Sequence, residues 1–250
     1  MNIFITGGTS GIGQALAQWY LEHGHRVAVC GRNIDRVEEL NSYGNFSKYK
    51  VDVYDKTILE EAVRDFCNGR NLDMLIVSAG NYSNDIMHKI TYEQASQMLQ
   101  VNIAGALNAL EVARQTMSMS GGYIVVLASV AGLLDYPQAS TYAKCKRVLI
   151  QIADTYRRSL SDFGIIVTTI IPGYIDTPRL REIYNGDISK CPFCIPLDKA
   201  TKIMTDAIDK HKDVVVFPWK MRVSIGILSL FPKRLLSIIM YRKAKWNTPK

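Results

Sequence analysis

The chain is 250 residues long, 48% hydrophobic and 21% charged. That is ordinary globular composition, and it excludes a disordered chain, a collagen-like repeat or a miniature scaffold held by disulfides. The formal charge of +7 is unevenly placed: eight of the 30 basic residues (Lys220, Arg222, Lys233, Arg234, Arg242, Lys243, Lys245, Lys250) follow Pro218 with no acidic residue among them, and the rest nearly balance the 23 acidic ones.

Met-Asn-Ile-Phe-Ile-Thr-Gly-Gly at the start predicts a strand over 2–6 and leaves no room for a basic, apolar, cleavable leader. The expectation is a cytoplasmic protein, or one peripheral at the inner face of a membrane. The five cysteines (Cys30, Cys67, Cys145, Cys191, Cys194) are an odd set that fits a reducing compartment. Ile12, Leu16 and Trp19 or Tyr20 recur at helical spacing and predict a helix over 11–21, so a βα unit opens the chain. A strand over 27–30, a polar helix over 33–40, a strand over 49–51 and a helix over 57–66 follow. The runs 72–77, 123–127 and 165–171 lack in-out alternation, as do strands in the middle of a parallel sheet covered on both faces. Helices over 91–117, 139–162 and 198–210 separate these strands, and 214–217 closes the series. The pattern predicts one α/β domain over 1–250, a doubly wound sheet of about seven parallel strands with helices on both faces.

Between the first strand and the first helix stands Thr6-Gly7-Gly8-Thr9-Ser10-Gly11-Ile12-Gly13. Glycine is required where side chains would clash with a pyrophosphate, and the following helix aims unpaired N–H groups at the anion. A plain βα turn also uses glycine, but the placement after strand one favours a dinucleotide cradle. Tyr142 and Lys146, four apart at the start of a helix, share a face. Ser129 lies just past a central strand, where open α/β sheets place ligands. A phenol with a free pKa of about 10 is a poor base at neutral pH, and a nearby ammonium favours its phenolate form. Lys146 can supply that charge. Singly, Asn102 reads as a helix-packing amide, Lys146 as a solvated charge and Ser129 as a turn residue; jointly they favour chemistry.

These residues together resemble the short-chain dehydrogenases/reductases. The resemblance runs from the T-G-x-x-x-G-x-G turn through Ser129, twelve intervening residues and Tyr142-x-x-x-Lys146 to Pro172-Gly173-Tyr174-Ile175-Asp176-Thr177. It implies a Rossmann-like single domain and an oxidoreductase that moves a hydride between a nicotinamide cofactor and a carbonyl or alcohol carbon. By the same resemblance Tyr142 exchanges a proton with the substrate oxygen, Ser129 hydrogen-bonds that oxygen, and Lys146 holds the nicotinamide ribose and tunes Tyr142. Asn102 would hold a water that links the lysine to solvent. The cofactor would rest on Gly7, Thr9, Ser10, Gly11, Ile12 and Gly13, with Asp52 and Val53 at the adenine and Ser78, Ala79 and Gly80 at its ribose. Pro172, Gly173, Ile175 and Thr177 would serve the nicotinamide. Ser78 stands where the family usually has Asn, which implies weaker neighbouring contacts and retained activity. The rival class is a non-catalytic sensor or scaffold on the same fold, whose signature, loss of Tyr142 or Lys146, is missing.

The second strand ends Val29-Cys30-Gly31-Arg32-Asn33. Gly31 stands where NAD-preferring members carry Asp, and Arg32 offers a charged donor fork suited to a 2′-phosphate, so NADP(H) is expected, with NAD(H) left open. Residues 178–196 resemble the family's substrate lid, and Leu180, Ile183, Tyr184, Phe193 and Ile195 point to an apolar pocket. Cys191 and Cys194 form a C-x-x-C without a second pair, and His23, His25, His88 and His211 are not spaced to complete a zinc site, so no metal is expected. The extension 218–250 has apolar stretches at 223–231 and 235–241, each short of the ~20 residues that span a bilayer. Two readings stand for it: a basic amphipathic element on an anionic membrane surface, or a segment that packs on the subunit or its neighbour and closes the pocket. Its aromatics (Trp219, Phe231, Tyr241, Trp246) are too sparse for nucleic-acid binding. The resemblance further implies a homodimer or homotetramer built on the helices over 91–117 and 139–162.

Overall fold

The structure, a computed structural model, describes residues 1–83 and 90–247, the last seven by backbone alone. His88 and Lys250, weighed above, lie outside the described residues. In chain order the strands are β1 (Asn2–Thr6), β2 (Arg26–Gly31), β3 (Phe46–Lys50), β4 (Met74–Val77), β5 (Gly122–Leu127), β6 (Ile165–Pro172), β7 (Ile175–Asp176), β8 (Ile195–Pro196) and β9 (Val214–Phe217). The helices are α1 (Gly11–Glu22), α2 (Lys56–Cys67), α3 (Tyr92–Leu99), α4 (Ala106–Met117), α5 (Thr141–Leu160), α6 (Pro178–Ile183), α7 (Leu197–Asp209), α8 (Trp219–Ser229) and α9 (Lys233–Asn247).

Seven strands form one sheet in the order β3-β2-β1-β4-β5-β6-β9, every pair parallel. The order turns back at β1, where β2 lies on one side and β4 on the other. Period-two alternation divides β1 between two cores: Phe4 packs with α2, α4 and α5 on one face, while Ile3 and Ile5 pack with α1 and α7 on the other. All three side chains are fully buried. Burying an Ile or Phe of this kind stabilises the fold by about 1.5–3 kcal/mol, which is why uninterrupted apolar runs mark the central strands.

Three boundaries differ from the sequence reading. β3 begins at Phe46, because an edge strand in partial contact with solvent lacks the continuous apolar run of its neighbours. The polar helix is a 3₁₀ segment over Asp35–Ser42 with non-helical backbone at Val37. The long helix over 91–117 starts with a capping box between Thr91 and Gln94, then widens into a π-turn over Gln100–Gly105 between α3 and α4. Helix periodicity alone carries no signal for that widening. Among the described residues no helix is long and apolar enough to cross a membrane.

Candidate active site

Strand register brings Thr6, Cys30, Val77 and Val126 to one level, and the loops beyond them form the site at the carboxyl edge of the sheet. Thr6 organises it. Its hydroxyl donates to Ile76 O (3.3 Å) and accepts from the N–H groups of Ser78 (3.2 Å) and Ala79 (3.3 Å). This ties the loop after β4 to the glycine turn without an Asn side chain at position 78. Ser78 Oγ instead lies 2.9 Å from where a Cβ on Gly13 would stand, so a short side chain there matches close packing.

The glycines of the turn serve different ends. A Cβ on Gly7, whose φ is +66°, would lie 2.5 Å from Ala79 Cα, and one on Gly13 would lie 2.6 Å from Gly7 O; these two are demanded by the fold itself. At Gly11, with φ +55°, the nearest atom is Thr177 Cγ2 at 4.0 Å, so the space above it is open and faces the segment after β6. Ser10 is the N-cap of α1, yet its hydroxyl makes no capping bond. A helix N-terminus, an unspent hydroxyl and an open glycine fit a pyrophosphate. Ile12 packs partly into the core beneath α1, which leaves its backbone for any ligand contact.

Ser129 caps a short 3₁₀ turn after β5, its Oγ accepting from Ala131 N at 3.2 Å. Tyr142 and Lys146 sit one turn apart at the head of α5, which Ser140 caps. The Ser129 hydroxyl is near enough to the Tyr142 phenol to favour its ionised form. Lys146, 5% exposed, donates from Nζ to Leu127 O (3.1 Å) and lies 5.7 Å from the centroid of the Tyr142 ring. Asn102, in the π-turn and fully buried, donates from Nδ2 to Asn81 O (2.7 Å) and Met98 O (3.0 Å), while its Oδ1 has no protein partner. A Cβ on Gly80 would meet both Asn102 Oδ1 (3.3 Å) and Lys146 Nζ (3.6 Å), so Gly80 lets these groups face the same small space. Residues from three separate segments of the chain thus meet around one small space.

Burial decides the proton affinities here. It pushes the Tyr142 phenol up to about 12, against a smaller downward pull from Ser129. It pulls the Lys146 ammonium down to about 8. The expected lowering of Tyr142 by Lys146 does not prevail in this state of the site, where desolvation is the largest effect.

At the end of β2, Arg32 is exposed and makes no hydrogen bond or ion pair with the described residues. A Cβ on Gly31 would lie 2.6 Å from Thr9 Oγ1 and 2.8 Å from Thr9 Cγ2, so Thr9 fills the place where a carboxylate-bearing side chain would begin. Asp52 accepts from Tyr54 N (3.1 Å), and Val53 is a core residue packed on Gly105, its carbonyl held by Asn108 Nδ2 at 3.0 Å. Gly173 N donates to Phe217 O (2.7 Å), fixing the loop after Pro172 to the end of β9. Ile175 pairs with Ile195 in the small sheet of β7 and β8, and Thr177 caps α6.

Tyr82 had no sequence signal. The Tyr82 ring stands edge-on to Tyr142, 5.2 Å between centroids, and its carbonyl accepts from Arg179 of α6 at 3.2 Å. Tyr174 and Tyr184 meet edge-on at 6.4 Å. Phe193, counted above as a pocket residue, is exposed, whereas Cys191 is buried and Cys194 half-buried. Among the described residues no group of three or more His, Cys, Asp or Glu side chains could hold a metal ion. The extension packs Met221, Ile225 and Leu236 onto Leu134, with Val130 and Tyr174 alongside, next to Ser129. Asp135 pairs with both Arg147 of α5 and Lys233 of α9.

The family profile described as short chain dehydrogenase matches residues 1–187. An uncharacterized oxidoreductase of Staphylococcus epidermidis is 30% identical over 190 residues, covering 74% of this chain and 83% of its own. The 3-oxoacyl-[acyl-carrier-protein] reductase MabA of Mycobacterium avium is 28% identical over 184 residues, 73% of this chain and 70% of its own. Among solved structures, ElxO with NADP bound superposes with a TM-score of 0.76 at 26% identity, covering 86% of this chain and 96% of the other.

Proposed function

The chain belongs to the short-chain dehydrogenase/reductase family, and from that premise we propose that it is an NADP(H)-dependent oxidoreductase acting on the carbonyl or alcohol carbon of an apolar small molecule. The observation that carries this reading is the meeting of Ser129, Tyr142, Lys146 and Asn102 at the carboxyl edge of the sheet, beside an open glycine turn. When bound, the nicotinamide cofactor supplies or accepts the hydride. Gly11, Ser10 and the head of α1 hold its pyrophosphate, and the loops at 78–80 and 172–177 flank the rest.

The remaining work falls to this chain's own residues. The Ser129 hydroxyl donates to the substrate oxygen and orients the carbonyl. Tyr142, protonated at neutral pH and made less acidic still by burial, donates its proton to that oxygen as negative charge develops there; in the reverse direction its phenolate takes the proton back. The charged Lys146 stabilises the phenolate that remains. Asn102 Oδ1 is a buried acceptor of the kind ordered water satisfies, and such a water, shared with Lys146, returns a proton from solvent to Tyr142 after reduction and carries one out after oxidation.

Arg32 favours a 2′-phosphate, and Thr9 against Gly31 disfavours the carboxylate that would select NAD; the NADP bound by ElxO supports the same choice. Tyr82, Tyr174 and Tyr184 make the substrate side largely aromatic, consistent with an apolar ketone, and residues 178–196 act as its lid. Exposed Leu99, Leu107 and Val148 on α3, α4 and α5 suit a homodimer or homotetramer of a cytoplasmic enzyme. The test is Tyr142→Phe, assayed by NADPH absorbance against ketones and aldehydes of graded chain length. Turnover should vanish while NADPH binding, followed by fluorescence, changes little. Undiminished turnover would reject the proton-transfer role, and no turnover of any carbonyl by the wild type would favour the sensor reading.

A further inference from the structure

We propose that the outward-facing apolar sides of α8 and α9 are a docking surface for an anionic lipid bilayer. α8 is apolar on two opposite sides. Met221 and Ile225 face the body of the protein, while Trp219 (69% exposed), Val223, Ile227 and Leu230 (83% exposed) face away from it. At ~100° per residue these four fall within one sector of the helix, and Lys220 and Arg222 stand on either side of that sector. On α9, Leu235 and Ile238 are exposed as well, while Leu236 is buried. Large apolar side chains exposed at this density are a kind of surface that soluble proteins rarely leave uncovered.

Charge selects the occupant. No acidic residue follows Asp213, so α8 and α9 themselves contribute only cations, and the carboxylate beside them, Asp135, is held by Lys233 and Arg147. A second copy meeting this surface face to face would bring two cation-bearing helix faces together, and like charges brought together are unfavourable. An anionic headgroup layer complements the same charges, with the long cationic side chains reaching to phosphate while the apolar residues enter the acyl boundary. Trp219, with Lys220 Nζ 5.9 Å from its ring, has the amphipathic character favoured at such an interface. The two sequence readings of the extension thus apply to opposite faces: the inner one packs beside the substrate loops, and the outer one meets lipid. The inference does not rest on the reaction assigned above.

The full-length protein should float with vesicles of phosphatidylcholine mixed with phosphatidylglycerol, bind phosphatidylcholine alone far more weakly, and be released by high salt. Lys220→Gln/Arg222→Gln should lower the partition coefficient about twenty-five-fold, about fivefold for each charge removed. Ile227→Gln/Leu230→Gln should lower it as well without altering thermal unfolding, because both side chains are exposed. The proposal is overturned by failure of the wild type to float with anionic vesicles, or by flotation that neither double variant weakens. It is equally overturned if Ile227→Gln/Leu230→Gln converts an oligomer to a monomer while leaving vesicle binding unchanged, which would make the face a contact between copies.

Discussion

Replacing Arg32 by Ala separates cofactor recognition from stability. The side chain is exposed and makes no hydrogen bond or ion pair with the described residues, so its loss should change folding stability by no more than about 0.5 kcal/mol. Hydrogen bonds to charged groups contribute about 1.5–3 kcal/mol, so the KM for NADPH should rise about tenfold to 150-fold, nearer the lower figure because the pair is open to solvent. The KM for NADH, which lacks the 2′-phosphate, should be nearly constant. The reverse design has a steric condition. Gly31→Asp puts a Cβ 2.6 Å from Thr9 Oγ1, so alone it should displace the glycine turn and weaken both cofactors; combined with Thr9→Ala, it should improve NADH. Initial rates with each cofactor, checked by fluorescence titration, measure all of these. An NADPH-to-NADH preference unchanged in Arg32→Ala would refute the assignment of that side chain to the phosphate.

Burial holds Lys146 near 8 against its ordinary 10.5, so between those values the unfolded chain binds a proton that the folded chain has released. Stability should rise with pH across that window, and below it the cost of the buried charge is complete, on the order of a few kcal/mol. Lys146→Met should accordingly stabilise the protein most below pH 8, with the gain shrinking toward pH 10 in urea titrations; a pH-independent difference would contradict this. Asn102→Leu removes two donated bonds from the π-turn and the loop after β4, with an expected loss of about 1–3 kcal/mol in thermal unfolding together with reduced turnover. Gly7→Ala, which places a Cβ against the Ala79 backbone, should cost more than about 2 kcal/mol of stability. Gly11→Ala, with open space above it, should cost about 1–2 kcal/mol for its left-handed backbone and show its main effect as lost NADPH binding in the same titrations.

The doubly wound fold was legible because central strands are buried on both faces, so β4, β5 and β6 carry apolar runs that need no partner to be recognised. β3 was partly missed because an edge strand is shaped by one neighbour and by water. Fixed spacing was equally informative for Tyr142 and Lys146, since four residues along a helix always share a face. Sequence alone therefore determined the family, the helix face shared by Tyr142 and Lys146, and the glycine turn. Tertiary structure decided what depends on atoms far apart in the chain: Thr6 tying the loop after β4, Thr9 filling the space beside Gly31, Tyr82 against Tyr142, and which side of α8 is left exposed. It also decided the proton affinities. Spacing places an ammonium near a phenol, but the depth at which both are buried determines whether attraction or desolvation prevails, and depth is a property of the packed fold.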